Sequence, residues 1–170
     1  MRVAFILSFI ANIGLSLLSL AILPSRVAIH FGAGGNPDNW APNYVQVLFF
    51  LSVEALLFFV IFYSPRLVTK LSPRWVNLPN KDYWLSEENK DLAVARMAHY
   101  MYQFGTVMFA FLFLVGMLTM QANLKDPVRL DQSVLLTALA VYFVYTIAWC
   151  VALYRGFRVP DPDVRTDSRA

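Results

Sequence analysis

The chain has 170 residues, 58% of them apolar and only 15% charged, with a formal net charge of +3 and a single cysteine. This apolar excess lies outside the range of ordinary soluble domains, and the lone Cys150 excludes an intrachain disulfide. The basic residues are distributed by connector rather than gathered into a stripe, so no nucleic-acid partner is expected.

In chain order, residues 3–23, 44–64, 100–121 and 133–154 are nearly uncharged runs. Each is close to the roughly 20 residues that cross a bilayer, and none carries the polar face of a soluble helix. The pattern predicts an all-α fold, a four-helix transmembrane bundle. Its helices are expected at residues 3–23, 44–64, 87–121 and 133–154, in a single domain over 1–155 with a flexible tail over 156–170. The first run follows Arg2 and contains Ser19-Leu20-Ala21, which resembles a secretory cleavage site. The run is longer than a signal core, so it is expected to stay as the first span. Pro24 ends it.

Tyr44 is expected to open the second helix and Pro65 to stop it. The connector 65–97 begins with prolines and amphipathic aromatics, including Trp75, Tyr83 and Trp84, which suits a segment at headgroup level. Ser86 has the character of an N-cap, with Glu87 and Glu88 in the first turn where the helix dipole favours acids. A helix from Glu87 to Gln121 would be roughly 50 Å long and would project into the cytoplasm. The last connector, 122–132, is short and polar.

Arg2, the basic residues of 65–97 and those after residue 154 lie on one side of this arrangement, whereas the other two connectors hold Arg26, Lys125 and Arg129. Basic residues favour the cytoplasmic side, so the N-terminus, the C-terminus and the middle connector are expected inside, in a bacterial inner membrane. The connector between the first two helices then faces outward. It holds His30, Phe31, Gly35, Asn36, Pro37, Asp38 and Trp40, and its glycines and prolines predict a shaped loop. His30 and Asp38 are potential metal donors, but the outer face adds only Asp126 and Asp131, a weak set for zinc, and the metal is left unknown. A His–Asp general-base pair has no adjoining Ser or Cys nucleophile. The glycine run lacks the Lys and following helix of a phosphate loop. Two readings stay open: a recognition loop for a peptide or membrane-protein partner, and a scaffold in which Asx turns hold Trp40 at the interface. No catalytic residue and no cofactor is assigned.

Glu54 lies near the middle of the second helix, at a depth where a charge costs several kcal/mol unless paired or protonated. Ser8, Asn12, Ser16 and Ser19 recur at helical spacing on the first helix, and Gln46 lies two turns from Glu54. Asn12, Ser16, Gln46 and Glu54 thus predict a midmembrane polar seam beneath the outer loop. It reads either as a site or proton path, or as polar glue between two helices. His99 reads as an interfacial polar residue, and Tyr142, Tyr145 and Trp149 as packing on the fourth helix.

Leu23-Pro24, then Val27-Ala28-Ile29-His30-Phe31, then Gly35-Asn36-Pro37-Asp38-Asn39-Trp40 resembles the signature of a bacterial membrane module, the domain of unknown function 1648. That signature is a helix end, "LP", an "HF" pair and then "G-x-P-D-x-W". Asn77-Leu78-Pro79-Asn80-Lys81-Asp82-Tyr83-Trp84-Leu85 also looks like a stretch found in that family. The same module opens the immunity proteins that protect sporulating bacilli from their own sporulation-delaying toxin. The resemblance implies a membrane location and an importance for the loop, and it offers no catalytic residues. A binding, immunity-like or sensory role is therefore expected. The alternative is a small membrane enzyme, an ion-coupled protein or an accessory subunit with Glu54 at its site.

Overall fold

The computed structural model describes residues 1–159; most of the expected tail, residues 160–170, lies outside the described residues. Four helices are long and apolar enough to cross a membrane, the mark of a multi-pass membrane protein: α1 (Arg2–Ile22), α2 (Asn43–Leu67), α4 (Lys90–Asn123) and α5 (Gln132–Gly156). A short α3 (Lys81–Trp84) lies in the middle connector. The fold is not purely α. The connector expected as a loop is a hairpin of two antiparallel strands, β1 (Arg26–Phe31) and β2 (Pro37–Pro42).

The central helix is α4, which packs against α1, α2 and α5. On its face toward α1, Gly105 leaves room for Phe5; a Cβ there would stand 2.5 Å from Phe5 Cε2. Small residues let membrane helices approach closely, and Phe5, Ile61, Met108 and Phe109 fill the resulting core. In contrast, α5 buries no residue completely. It is held to α4 by Trp149 Nε1–H donating to the Tyr100 carbonyl (3.0 Å), Tyr145 O–H donating to the Gln103 carbonyl (3.4 Å) and Tyr142 stacked on Phe111.

Three expected boundaries move, each for a local reason. Pro65 does not stop α2, which runs to Leu67. Proline removes the amide that would reach the carbonyl four residues back, and Ser64 Oγ–H donates to that same Ile61 carbonyl at 3.1 Å. Ser86 does not cap α4, which starts at Lys90. Ser86 Oγ–H instead donates to the Tyr83 carbonyl and accepts from Asn89 Nδ2, making a separate turn. The expected boundary at 155/156 also shifts, because Phe157 is fully buried with Leu78, Trp84 and Ala93. The Phe157 carbonyl accepts from Trp84 Nε1 (2.8 Å) and Asn80 Nδ2 (3.0 Å), and Arg96 lies over the Trp84 ring while donating to the Gly156 carbonyl. The first turns of α4 are therefore wrapped by the middle connector rather than projecting bare.

Candidate functional site

The hairpin follows from its own residues and from three outside tethers. Val27 and Ala28 in β1 are fully buried at the end of the bundle. The register pairs Ala28 with Trp40, His30 with Asn39 and Phe31 with Pro37, with irregularities between Ala28, His30 and Phe31. Such bulges re-aim side chains, and here His30 meets Asp38, with Nδ1 and Oδ1 2.5 Å apart and both side chains more than half exposed. The tip turns through Gly34 (φ 78°) and Gly35 (φ 76°), left-handed values that glycine adopts freely.

The first tether is Asn123, at the end of α4. Ala28 N–H donates to Asn123 Oδ1 at 2.7 Å, and Asn123 Nδ2 donates to the Ala28 carbonyl at 3.1 Å. A single side chain thus satisfies both backbone groups that β1 turns away from β2, doing locally what a third strand would do. The second tether is the connector before α5, which closes on the tip. Leu130 N–H donates to the Gly35 carbonyl (2.9 Å), Gly34 N–H to Gln132 Oε1 (2.6 Å) and Arg129 Nε–H to the Gly34 carbonyl (3.1 Å). Gly35 is required here twice over, since a Cβ would also collide with the Leu130 carbonyl. The third tether is at the base, where Asn43 N–H donates to the Ser25 carbonyl at 3.0 Å.

Fixed in this way, the hairpin presents His30, Asn36, Asp38, Asn39 and Trp40 as an exposed rim, with Gly35 buried and Phe31 and Pro37 half-buried. Beside the tip, a polar cleft of about 650 Å³ is lined by Gly34, Lys125, Asp126, Arg129, Asp131 and Gln132, a mixed-charge surface. Among the described residues, no three His, Cys, Asp or Glu side chains converge. The rim offers one imidazole and one carboxylate in contact, together with amides and an indole: hydrogen-bonding and stacking groups.

The seam residues are all buried, but they do not join as one network. Asn12 Nδ2 donates to the Phe109 carbonyl of α4 (2.9 Å) and to the Ser8 carbonyl (2.8 Å), not to Glu54. Ser16 offers its carbonyl to Ser19 Oγ–H at 2.7 Å. Gln46 and Glu54 are 7% and 2% exposed, and Gln46 Oε1 and Glu54 Oε2 have no hydrogen-bond partner among the described residues. Asn12 therefore fastens α1 to α4, the Ser16–Ser19 bond stays within α1, and the two α2 residues stand apart. Sequence reasoning missed Asn123. An Asn ending a helix reads as an ordinary C-terminal residue, and its partner lies 95 positions away.

No curated protein and no solved structure matches the chain. Residues 7–54 match the model of a family described as a domain of unknown function, DUF1648; the chain is thus similar to that family across most of α1, the whole hairpin and α2 as far as Glu54.

Proposed function

We propose that this is a protein of a bacterial cytoplasmic membrane with both termini inside, whose hairpin faces outward and recognises a peptide or a partner membrane protein in an immunity-like or sensory role. The orientation rests on the basic residues: Arg26, Lys125 and Arg129 lie at the hairpin end, and the other eleven of the fourteen lie elsewhere in the chain, all but those in the tail at the opposite end of the bundle or flanking it. The observation that carries the reading is the combination of an exposed His30–Asp38–Asn39–Trp40 rim with anchoring by Asn123, Leu130 and Gln132. A rim ordered before binding avoids the entropy cost of ordering it in the complex. A photoreactive amino acid at Asn39, activated in intact cells, is expected to give a discrete adduct that disappears in the Asn123→Ala background. The same probe at lipid-facing Phe143 is expected to give none. Identical adducts from both positions would refute recognition by the rim.

One observation favours a second reading, in which the chain is an ion-coupled protein, a small membrane enzyme or a subunit of a larger complex. Glu54 lies eleven residues into α2, roughly 16 Å along the helix, a position near the middle of a span, and it has no ion-pair partner among the described residues. Proteoliposomes test it. A proton flux carried by the wild-type chain and lost in Glu54→Gln supports coupling, and flux that is equal or absent in both excludes it.

A further inference from the structure

Beneath the hairpin, a cavity of about 350 Å³ opens between β1, α2 and α4, lined by Ile29, Phe31, Gln46, Phe49, Val115 and Thr119 among others. It is at the small end of the range of small-molecule sites. None of the rim side chains His30, Asp38, Asn39 or Trp40 lines it, so a ligand here is independent of whatever the rim binds. Its wall is apolar apart from two groups. Thr119 Oγ1–H donates to the Val115 carbonyl at 2.8 Å, which leaves the hydroxyl oxygen able only to accept. Gln46 is 7% exposed, and its buried Oε1 is without a partner among the described residues. An unpaired amide in a bilayer is costly, and amides placed this way are ordinarily met by a hydrogen-bonding group.

We propose that this cavity binds an uncharged glycerolipid with a free hydroxyl, a mono- or diacylglycerol, taken laterally from the bilayer. Three observations select that chemistry. Among the described residues no charged side chain lines the cavity, which disfavours a phospholipid headgroup. Gln46 lies three residues from the start of α2, roughly 5 Å along the helix, where glycerol hydroxyls reside, and Phe49 lies one turn deeper, where an acyl chain continues. Ile29 and Phe49, which line the cavity, are 39% and 65% exposed, so its exposed edge is apolar and suited to entry from lipid. A hydroxyl both donates and accepts. It therefore pairs with the Gln46 amide whichever way that amide is turned, and it can donate to Thr119 as well.

The test uses the full chain in nanodiscs with a diazirine-bearing monoacylglycerol, and a diazirine-bearing phosphatidylcholine alongside it. The expected result is saturable labelling of β1 and the first turns of α2, competed by unlabelled monoacylglycerol and at least about tenfold weaker for Gln46→Met. Val115→Trp fills the cavity from α4 while leaving residue 46 as Gln, and should also abolish labelling. Thermal unfolding of both variants without lipid confirms that they fold. Equal labelling by the two probes, labelling spread over all exposed helix faces, or undiminished labelling in both variants would overturn the proposal.

Discussion

Replacing Asn123 by alanine isolates what holds the hairpin. The substitution strips partners from two backbone groups of Ala28, a residue with no exposed surface: an N–H bonded at 2.7 Å and a carbonyl bonded at 3.1 Å. Each buried group left unpaired costs about 1–3 kcal/mol, a sum of about 2–6 kcal/mol. The upper end is not reached, because β1 can lift and admit water, so about 2–4 kcal/mol is expected to appear as easier local opening. Hydrogen exchange of the Ala28 amide reads that opening directly and should accelerate about 30- to 1,000-fold. Amides in the middle of α5 should exchange as before. If Ala28 stays protected in Asn123→Ala, the hairpin is held by its other tethers and Asn123 is not its anchor.

Two further substitutions test the tip and the opposite end. Gly34→Ala and Gly35→Ala share a left-handed backbone, which costs roughly 1 kcal/mol for alanine. Only Gly35→Ala drives a Cβ into the Leu130 carbonyl, whereas at Gly34 the nearest atom is Asn36 Nδ2 at 3.6 Å. Gly35→Ala should therefore release the connector before α5, seen as faster exchange at Leu130, and Gly34→Ala should not. At the other end, Trp84→Ala empties a fully buried indole site and removes a donor to the Phe157 carbonyl, costing about 3–5 kcal/mol. The expected outcome is new protease cleavage within residues 73–89 while α1, α2 and α4 stay protected.

The four spans are legible in the sequence because a bilayer asks only for length and apolarity, and both are local properties. The sequence spacing also puts Gln46 and Glu54 on one face of α2, and both are buried. The hairpin is less legible, although its signal is present: Arg26–Phe31 is rich in branched and aromatic residues, and a glycine-containing turn separates it from Pro37–Pro42. Pro37 and Pro42 argue against a strand, and they are tolerated because they occupy the ends of β2 in a sheet of only two strands. Asn12 is a different case. Its polarity is plain, but its choice of the Phe109 carbonyl over Glu54 depends on α1 lying chiefly against α4. Phe157 is invisible for the same reason, since one aromatic in a polar stretch gains meaning only from Trp84 and Asn80.

The hairpin's dependence on α4 also sets how the bundle and the rim are coupled. An isolated two-stranded hairpin is marginal in water, and the matched segment 7–54 contains neither Asn123 nor Leu130. On α4, Gly105 and Asn123 are 18 residues apart, five full turns or roughly 27 Å, and so lie on one face. The face that receives Phe5 at one end of α1 therefore continues to the residue that receives Ala28 just past the other end. Sliding α1 by one turn along α4, roughly 5.4 Å, would carry Ala28 out of reach of Asn123. Gly105→Ala tests this coupling from a distance, by placing a methyl 2.5 Å from the Phe5 ring and 3.1 Å from Ile61 Cγ2. Overpacking of that kind costs about 1–3 kcal/mol. If α1 responds as a rigid rod, the Ala28 amide should exchange several-fold faster, with the α5 amides unchanged. If α1 yields only around Phe5, or if every helix loosens equally, the shared face does not transmit position to the rim.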